Sequence, residues 1–223
     1  MDRIDRISSS RAAFFSYVEK CNKDYRSSHE LALYRELILM HRKFGNLELL
    51  LEEEIFLKKM HETLGKWNMD QRGARLAPLC DIVKSVRSLE IYLFKLYEFK
   101  VYGDKNNDIL NIKQLLEKVF CNLKIMESSR RIVGVSKALH FLLPDLIMPI
   151  DGKFTLPAFF GYNKISNTPR KEFSDFWEII GTTFEITESL ELNQSDVDGI
   201  KWNTSVPKLI DNAIIGLMKS ENE

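Results

Sequence analysis

Apolar residues in the first hundred positions recur at intervals of three and four, which is the spacing of a helix that buries one face. A first stripe runs from Leu31 to His41. Gly45 and Asn46 interrupt it, and the same spacing resumes at Leu47. The pattern predicts either two helices or one long bent helix in this part of the chain.

The same period predicts further helices along the rest of the sequence. They lie at 74–100, 109–125, 133–143, from 168 onward and at 206–218. The helix at 74–100 is long and apolar enough to be central and buried. Pro144 stops the helix at 133–143, since proline lacks the N–H of a helix interior. Thr168 and Pro169 are typical of a helix start.

We therefore expect an all-α fold that forms a compact single domain over 1–223, either as one body or with two lobes. Its N-terminal helices, 1–66, are a candidate self-association surface, which would make a homodimer. Residues 67–223 form the predicted core. This core contains the segment 130–153, whose residues stand out from the rest of the chain.

Composition supports a folded protein outside the membrane. The chain has 223 residues, of which 44% are hydrophobic, so it can fill a core. Its longest apolar runs, at 91–97 and 139–143, are far shorter than the roughly 20 residues of a membrane span. The first residues also lack the apolar stretch of a secretory signal. We expect a cytoplasmic protein without a membrane partner.

Charge is balanced overall but uneven along the chain. The sequence has 32 basic and 32 acidic residues, so it has no general attraction to nucleic acid. Between 124 and 171, however, eight basic residues stand against three acidic ones, whereas three basic and eleven acidic residues follow. The basic segment is either a phosphate-binding patch or a solvated face that pairs with acidic residues elsewhere.

Several classes of enzyme are excluded because their motifs are missing. The chain has no GxGxxG, GxxxxGK[ST], HExxH, CxxC or GxSxG sequence. None of its four histidines has a second histidine at the spacing of metal ligands on a helix. We predict neither a metal site nor a cofactor.

The segment RIVGVSKALHFLLPDLIMPID, at 131–151, has two interpretations. In the first it is structural: Lys137 and His140, one helical turn apart, face outward or pair locally. Asp145 and Asp151 then accept backbone N–H groups in turns, and Asp151 caps a helix that starts near Lys153.

In the second interpretation the segment is functional. Asp151 lies at the mouth of a pocket with Lys137, His140 and the aromatic residues of 154–160 around it. Asp151 is then the candidate catalytic residue, as a general base or a stabiliser of positive charge, and His140 is a second candidate.

Two segments resemble a group of uncharacterised prokaryotic proteins. These segments are LGKWNMDQRGARL, at 64–76, and GVSKALHFLLPDLIMPID, at 134–151, which match the patterns WxMxxRxAxL and SKxLHxLLPDLxxPxD. The resemblance implies no activity, but it does imply a shared framework. Its members are Trp67, Arg72, Ser136, Pro144, Asp145 and Pro149. Arg72 could contact either a phosphate or an internal carboxylate such as Asp151.

The order of glycine, lysine, apolar helix, proline and aspartate is more distantly similar to the helix-hairpin-helix DNA glycosylase superfamily. The resemblance implies a helix-hairpin-helix-like segment near 130–151. There, Gly134 and Lys137 would lie at the hairpin that holds a DNA phosphate, and Asp151 would stabilise positive charge on the sugar. This chain differs from the superfamily at two points. It has one of the hairpin's two glycines, and its interval from lysine to aspartate is shorter than the usual interval of the superfamily.

The leading hypothesis is a protein that binds or processes nucleic acid, with DNA or RNA as its partner. The residues predicted to contact nucleic acid are Arg130, Arg131, Gly134, Lys137 and Lys153. Two alternatives come from other classes: a non-catalytic helical interaction protein, and a small-molecule enzyme that uses Asp151.

Overall fold

The computed structural model describes residues 2–24, 28–71, 73–102, 108–128, 131–161 and 168–221. Within these ranges the secondary structure is helical, apart from one isolated bridge between Leu76 and Met126. The all-α prediction is confirmed. The helices are α1 (Arg3–Ser8), α2 (Arg11–Asp24), α3 (Ser28–Phe44), α4 (Leu47–Glu52), α5 (Glu54–Lys66), α6 (Leu79–Ser88), α7 (Glu90–Tyr97), α8 (Ile109–Asn122), α9 (Ile132–Leu142), α10 (Thr155–Phe160), α11 (Pro169–Ser189) and α12 (Val206–Ser220), with a 3₁₀ helix at Gln194–Asp196.

The predicted break after the first stripe is confirmed. Gly45 has a φ of +65°, a conformation that glycine adopts without strain, and it ends α3. The side chain of Asn46 then accepts the backbone N–H of Glu48 at 2.6 Å and caps α4. A second break at Glu53 separates α4 from α5.

The single helix predicted at 74–100 is wrong. Residues 74–78 are extended, and the N–H of Ala77 donates to the carbonyl of Ile125 at 2.8 Å. Pro78 favours this extended start because it disfavours helical geometry in the residue before it. The rest forms α6 and α7, which separate at Leu89. Leu89 keeps the apolar spacing, so the pattern could not reveal the break.

The later helices begin and end close to the predicted positions. The helix α9 ends at Leu142, two residues before Pro144, and α11 begins at Pro169. Thr168 precedes α11, as its helix-start pattern indicates, but its side chain makes no capping hydrogen bond.

The N-terminal helices belong to the same core as the C-terminal ones. Buried side chains from Ile7 to Met218 form one contiguous cluster. The helix α2 packs along α12, and α5 packs against α9. Self-association through 1–66 stays a prediction, but part of that segment is already used for packing within the chain.

No helix among the described residues is long and apolar enough to cross a bilayer.

The closest approach of two helices generates the first testable prediction. A Cβ added at Gly216 would lie 1.9 Å from the carbonyl oxygen of Tyr17, so Gly216→Ala must force α2 and α12 apart. We expect it to lower the free energy of unfolding by about 2 kcal/mol or more in urea denaturation. The matched control is Gly181→Ala in α11, where a Cβ meets nothing within 4 Å. That variant should be stabilised by about 0.5–1 kcal/mol, and equal effects at both sites would contradict the prediction.

Candidate functional site

The N-terminus of α9 is closed by a carboxylate from α11. Oε1 of Glu172 accepts the backbone N–H of Arg131 at 2.9 Å, and burial raises the pKa of Glu172. Gly134 lies inside the first turn of α9, where a Cβ would be 2.3 Å from Sδ of Met126. Gly134 therefore serves close packing. The phosphate contact at Gly134 stays a prediction, although Gly134 is buried and packs against Met126.

The side chain of Arg131 also makes hydrogen bonds within the fold. Its guanidinium donates to the carbonyl oxygens of Phe120 at 2.6 Å, Leu123 at 3.2 Å and Cys121 at 3.3 Å. These carbonyls lie at the end of α8, where backbone acceptors lack partners within the helix. A phosphate-binding role for Arg131 stays a prediction, although its guanidinium already bonds to the end of α8. Arg130 and Arg72 lie outside the described residues.

His140 is a core residue, contrary to its prediction as a catalytic candidate. Its Nδ1 lies 2.7 Å from the carbonyl oxygen of Ile147, and its Nε2 lies 2.8 Å from the hydroxyl of Tyr34. The carbonyl can only accept, so Nδ1 carries the proton and Nε2 accepts from Tyr34. The Tyr34 oxygen is also bonded to the Thr204 hydroxyl. Both nitrogens are occupied, and neither faces the cleft described below.

Other framework residues fix the segment that follows α9. The hydroxyl of Ser136 donates to the carbonyl of Val133 at 3.0 Å and accepts the N–H of Ile150 at 3.1 Å. Pro149 and Asp151 are thereby held against α9. Asp145 lies elsewhere, beside a separate cavity of about 240 Å³.

Two of the predicted site residues, Lys137 and Asp151, line a cleft of about 120 Å³, which we call the Lys–Asp cleft. Its functional side chains are Trp67, Lys137, Asp151, Trp202, Lys208 and Asp211. They come from the end of α5, from α9, from the residues before α10, from α12 and, for Trp202, from the residues before α12. The aromatic residues of 154–160, predicted to surround Asp151, do not line it.

The first half of the cleft is built on Lys137. Its Nζ lies 3.9 Å from Oδ2 of Asp151 and 5.4 Å from the ring centroid of Trp67. Burial lowers the pKa of Lys137, and the charge of Asp151 opposes this shift. Lys137 was predicted to face a phosphate, but it lies inside the cleft. Lys153, by contrast, is exposed, as a phosphate contact requires.

Asp151 combines one element of each interpretation of its segment. Its Oδ1 accepts the backbone N–H groups of Lys153 at 2.7 Å and Phe154 at 3.1 Å, just before α10. Its Oδ2 faces Lys137, and the side chain remains 33% exposed. One carboxylate therefore caps a turn and lies at the mouth of a pocket.

The second half of the cleft was missed by the sequence analysis. The ammonium of Lys208 is bonded to Oδ2 of Asp211, three residues along α12, and lies 5.2 Å from the ring centroid of Trp202. Both charged residues are at least 95% buried. Burial raises the pKa of Asp211, and the neighbouring Lys208 opposes this shift.

The cleft resembles the polar sites of enzymes in its chemistry, because it combines a buried amine of lowered pKa with an accessible carboxylate. Among the residues that the structure describes, no cluster of three or more histidine, cysteine or acidic side chains could hold a metal ion.

Comparisons of the chain with protein-family models, curated proteins and solved structures found no match. What the fold and the site define is an all-α protein with two lysine–aspartate pairs in one cleft, one buried and one with a partly exposed aspartate, each beside a tryptophan.

Two buried histidines generate a prediction about pH. Burial lowers the pKa of His41 to about 4 and that of His140 to about 3, whereas an unfolded histidine titrates near 6.5. As the pH falls, the histidines of the unfolded chain are therefore protonated before those of the folded chain. The stability that the neutral, buried histidines contribute is complete above about pH 6.5 and is lost as the pH falls below it.

We expect the free energy of unfolding of the wild type to fall more between pH 7 and pH 5 than that of His140→Gln, by about 2 kcal/mol. Urea denaturation at both pH values measures the difference. His29→Gln is the control, because His29 is exposed. An identical pH dependence in wild type and His140→Gln would show that His140 is not buried in its neutral form.

Proposed function

We propose that this protein is a nucleic-acid-processing enzyme that receives one base, with its attached sugar, at the Lys–Asp cleft. The observation that carries the proposal is the Lys137 amine, buried 3.9 Å from the partly exposed carboxylate of Asp151. In this proposal Asp151 stabilises positive charge that develops on the sugar, and Lys137 supplies a neighbouring amine.

The size of the cleft supports a single small reacting group. Its volume of about 120 Å³ has room for several water molecules, but it is well below the roughly 300–1,000 Å³ of pockets for drug-sized ligands. A stacked duplex cannot enter such a space, so the base must leave the stack or come from a single strand.

The charges support chemistry at this end of the cleft. A lysine with a lowered pKa spends more time as a free amine, which can accept a proton or attack a carbon. The carboxylate of Asp151 is held by two backbone N–H groups, so its orientation is fixed before a substrate arrives. The remaining oxygen faces the amine.

Affinity for a phosphate backbone must come from exposed lysines at the rim of the Lys–Asp cleft. Lys66 is exposed and lines the cleft, and Lys153 is exposed two residues after Asp151. The proposal does not depend on Arg131 or on the N-terminus of α9, because both already make hydrogen bonds within the fold. Two rim lysines would neutralise about two phosphates, so binding should be weak and salt-dependent.

A small-molecule enzyme is the second candidate. The cleft is lined by three lysines (Lys66, Lys137 and Lys208) and three carboxylates (Glu30, Asp151 and Asp211), which cancel in charge, so the cleft itself does not attract a polyanion. In that case the same Lys137–Asp151 pair acts on a free compound. The non-catalytic interaction protein also stays a prediction.

Asp151→Asn tests the chemistry, because asparagine caps helices about as well as aspartate but carries no charge. We expect the variant to fold and to keep its affinity for labelled oligonucleotides, with a lower thermal unfolding temperature because Lys137 loses its charged partner, and to lose activity by about 100-fold or more. The assay follows base release and strand cleavage in DNA and RNA that contain deaminated, oxidised or abasic residues. Asp81→Asn, at an exposed position of α6, is the matched control. Full activity of Asp151→Asn would remove Asp151 from the mechanism.

Salt dependence tests the partner. We expect single-stranded DNA or RNA to bind at low salt, with the logarithm of the association constant falling by about 1.4 per tenfold rise in salt for two phosphate contacts. Lys66→Ala and Lys153→Ala should each weaken binding and halve this slope. Lys84→Ala is the control at an exposed position of α6. Absence of binding at low salt would contradict the nucleic-acid proposal and leave the small-molecule enzyme.

A further inference from the structure

The Lys208–Asp211 pair has no role in the chemistry proposed above, although it forms the second half of the same cleft. The relative exposure of Lys208 is 5% and that of Asp211 is 3%. Removing two charges from water costs several kcal/mol for each ion, and their attraction offsets this only when the geometry is good. A pair this deeply buried at a cleft calls for an explanation beyond stability.

One carboxylate oxygen of Asp211 is not bonded to Lys208. Oδ2 of Asp211 is bonded to Lys208, but Oδ1 is buried and has no hydrogen-bond partner in the part of the chain that the structure describes. A buried acceptor without a partner is destabilising, and more so when it is charged. The last torsion of an aspartate side chain is soft, so the carboxylate can turn toward the cleft at little cost.

Lys208 complements this acceptor with donors. An ammonium has three N–H groups, so Lys208 can donate to a ligand while it stays bonded to Asp211. The pair thus presents a donor and an acceptor side by side. The group that matches both is a carbonyl next to an N–H, as in the lactam edge of a heterocyclic ring.

The total charge of the cleft limits the ligand further. Three ammonium groups and three carboxylates line the cleft and already balance, so an added ion would lie without a counter-charge in a poorly solvated space. An uncharged ring avoids this cost. The half-buried face of Trp67 gives such a ring an aromatic surface to contact.

We infer that Lys208 and Asp211 are the specificity-determining residues of the cleft, and that they recognise an uncharged heterocycle through an adjacent carbonyl and N–H. This inference rests on the proposed function, because it assigns the edge of the base that enters the cleft. It concerns recognition, whereas Lys137 and Asp151 carry the chemistry.

The test uses two isomers of dimethyluracil, one with both methyl groups on ring nitrogens and one with both on ring carbons. The two compounds have the same size and composition, but only the second has N–H groups. Binding is read from tryptophan fluorescence in a Trp177→Phe background, which leaves Trp67 and Trp202, both at the cleft. We expect saturable binding of the carbon-methylated isomer at millimolar concentration and at least tenfold weaker binding of the other.

Three variants complete the test in the same background. Asp211→Asn should weaken binding of the N–H isomer by about tenfold or more, whereas Asp81→Asn on α6 should leave it unchanged. If Asp211→Asn leaves Lys208 unpaired and fails to fold, the double variant Lys208→Met with Asp211→Leu removes both charges together. Such replacements of a buried pair are often neutral for stability. We expect the double variant to fold, as checked by thermal unfolding, and to lose discrimination between the isomers.

The outcomes separate this inference from the proposed function. Equal binding of the two isomers by the wild type, no binding of either, or discrimination that persists in the folded double variant would overturn the inference. Oligonucleotide binding and the loss of activity in Asp151→Asn would still stand in those cases. Conversely, discrimination between the isomers without any binding of nucleic acid would support the inference and contradict the nucleic-acid proposal.

Discussion

Two lysine side chains lie buried in an apolar helical core, and the cleft depends on how their charges are accommodated. Lys137 is held by Asp151 and by the face of Trp67, and Lys208 by Asp211 and the face of Trp202. Each ammonium has a carboxylate on one side and an aromatic ring on another, both of which favour a cation. Neither lysine could remain buried alone, so the helices that bring these partners together must keep their positions.

Those positions are fixed by contacts that lie outside the cleft. The helix α9 is held at its start by Glu172 and along its length by the bonds of Ser136 and His140 to the segment that follows it. The helix α12 is held by the close packing of Gly216 on α2. Several residues that resembled a binding site in the sequence are therefore its supports. Their role is to place the charged residues within a few ångströms of one another.

The sequence was sufficient for the all-α class, for most of the helices and for half of the cleft, but not for the break between α6 and α7. The motif predicted that Trp67, Lys137, Pro149 and Asp151 belong together, and these residues line one cleft. It did not show that Arg131 bonds to the end of α8 and to α11, or that Gly134 packs against Met126, because tertiary packing sets these contacts. It also failed for His140, since a histidine has the same appearance in a sequence whether it faces a ligand or a carbonyl.

The missed half of the cleft had a signal. In α12 the apolar residues extend around most of the helix, which is typical of a helix buried on all sides. Lys208 and Asp211 are three residues apart and match a common surface pair, so their spacing alone favours a solvent-exposed interpretation. Charged side chains on a buried helix need partners within the core. A charged pair on such a helix therefore indicates a functional site.

The balance of charge separates two tasks in the proposed enzyme. Because the cleft is neutral in sum, attraction of a polyanion must come from exposed lysines such as Lys66 and Lys153, where phosphates remain hydrated. Inside the cleft, opposite charges are held close together in a space with little water, where each hydrogen bond discriminates more strongly. Rim residues therefore control affinity and its salt dependence. The two lysine–aspartate pairs control which group enters the cleft and what happens to it.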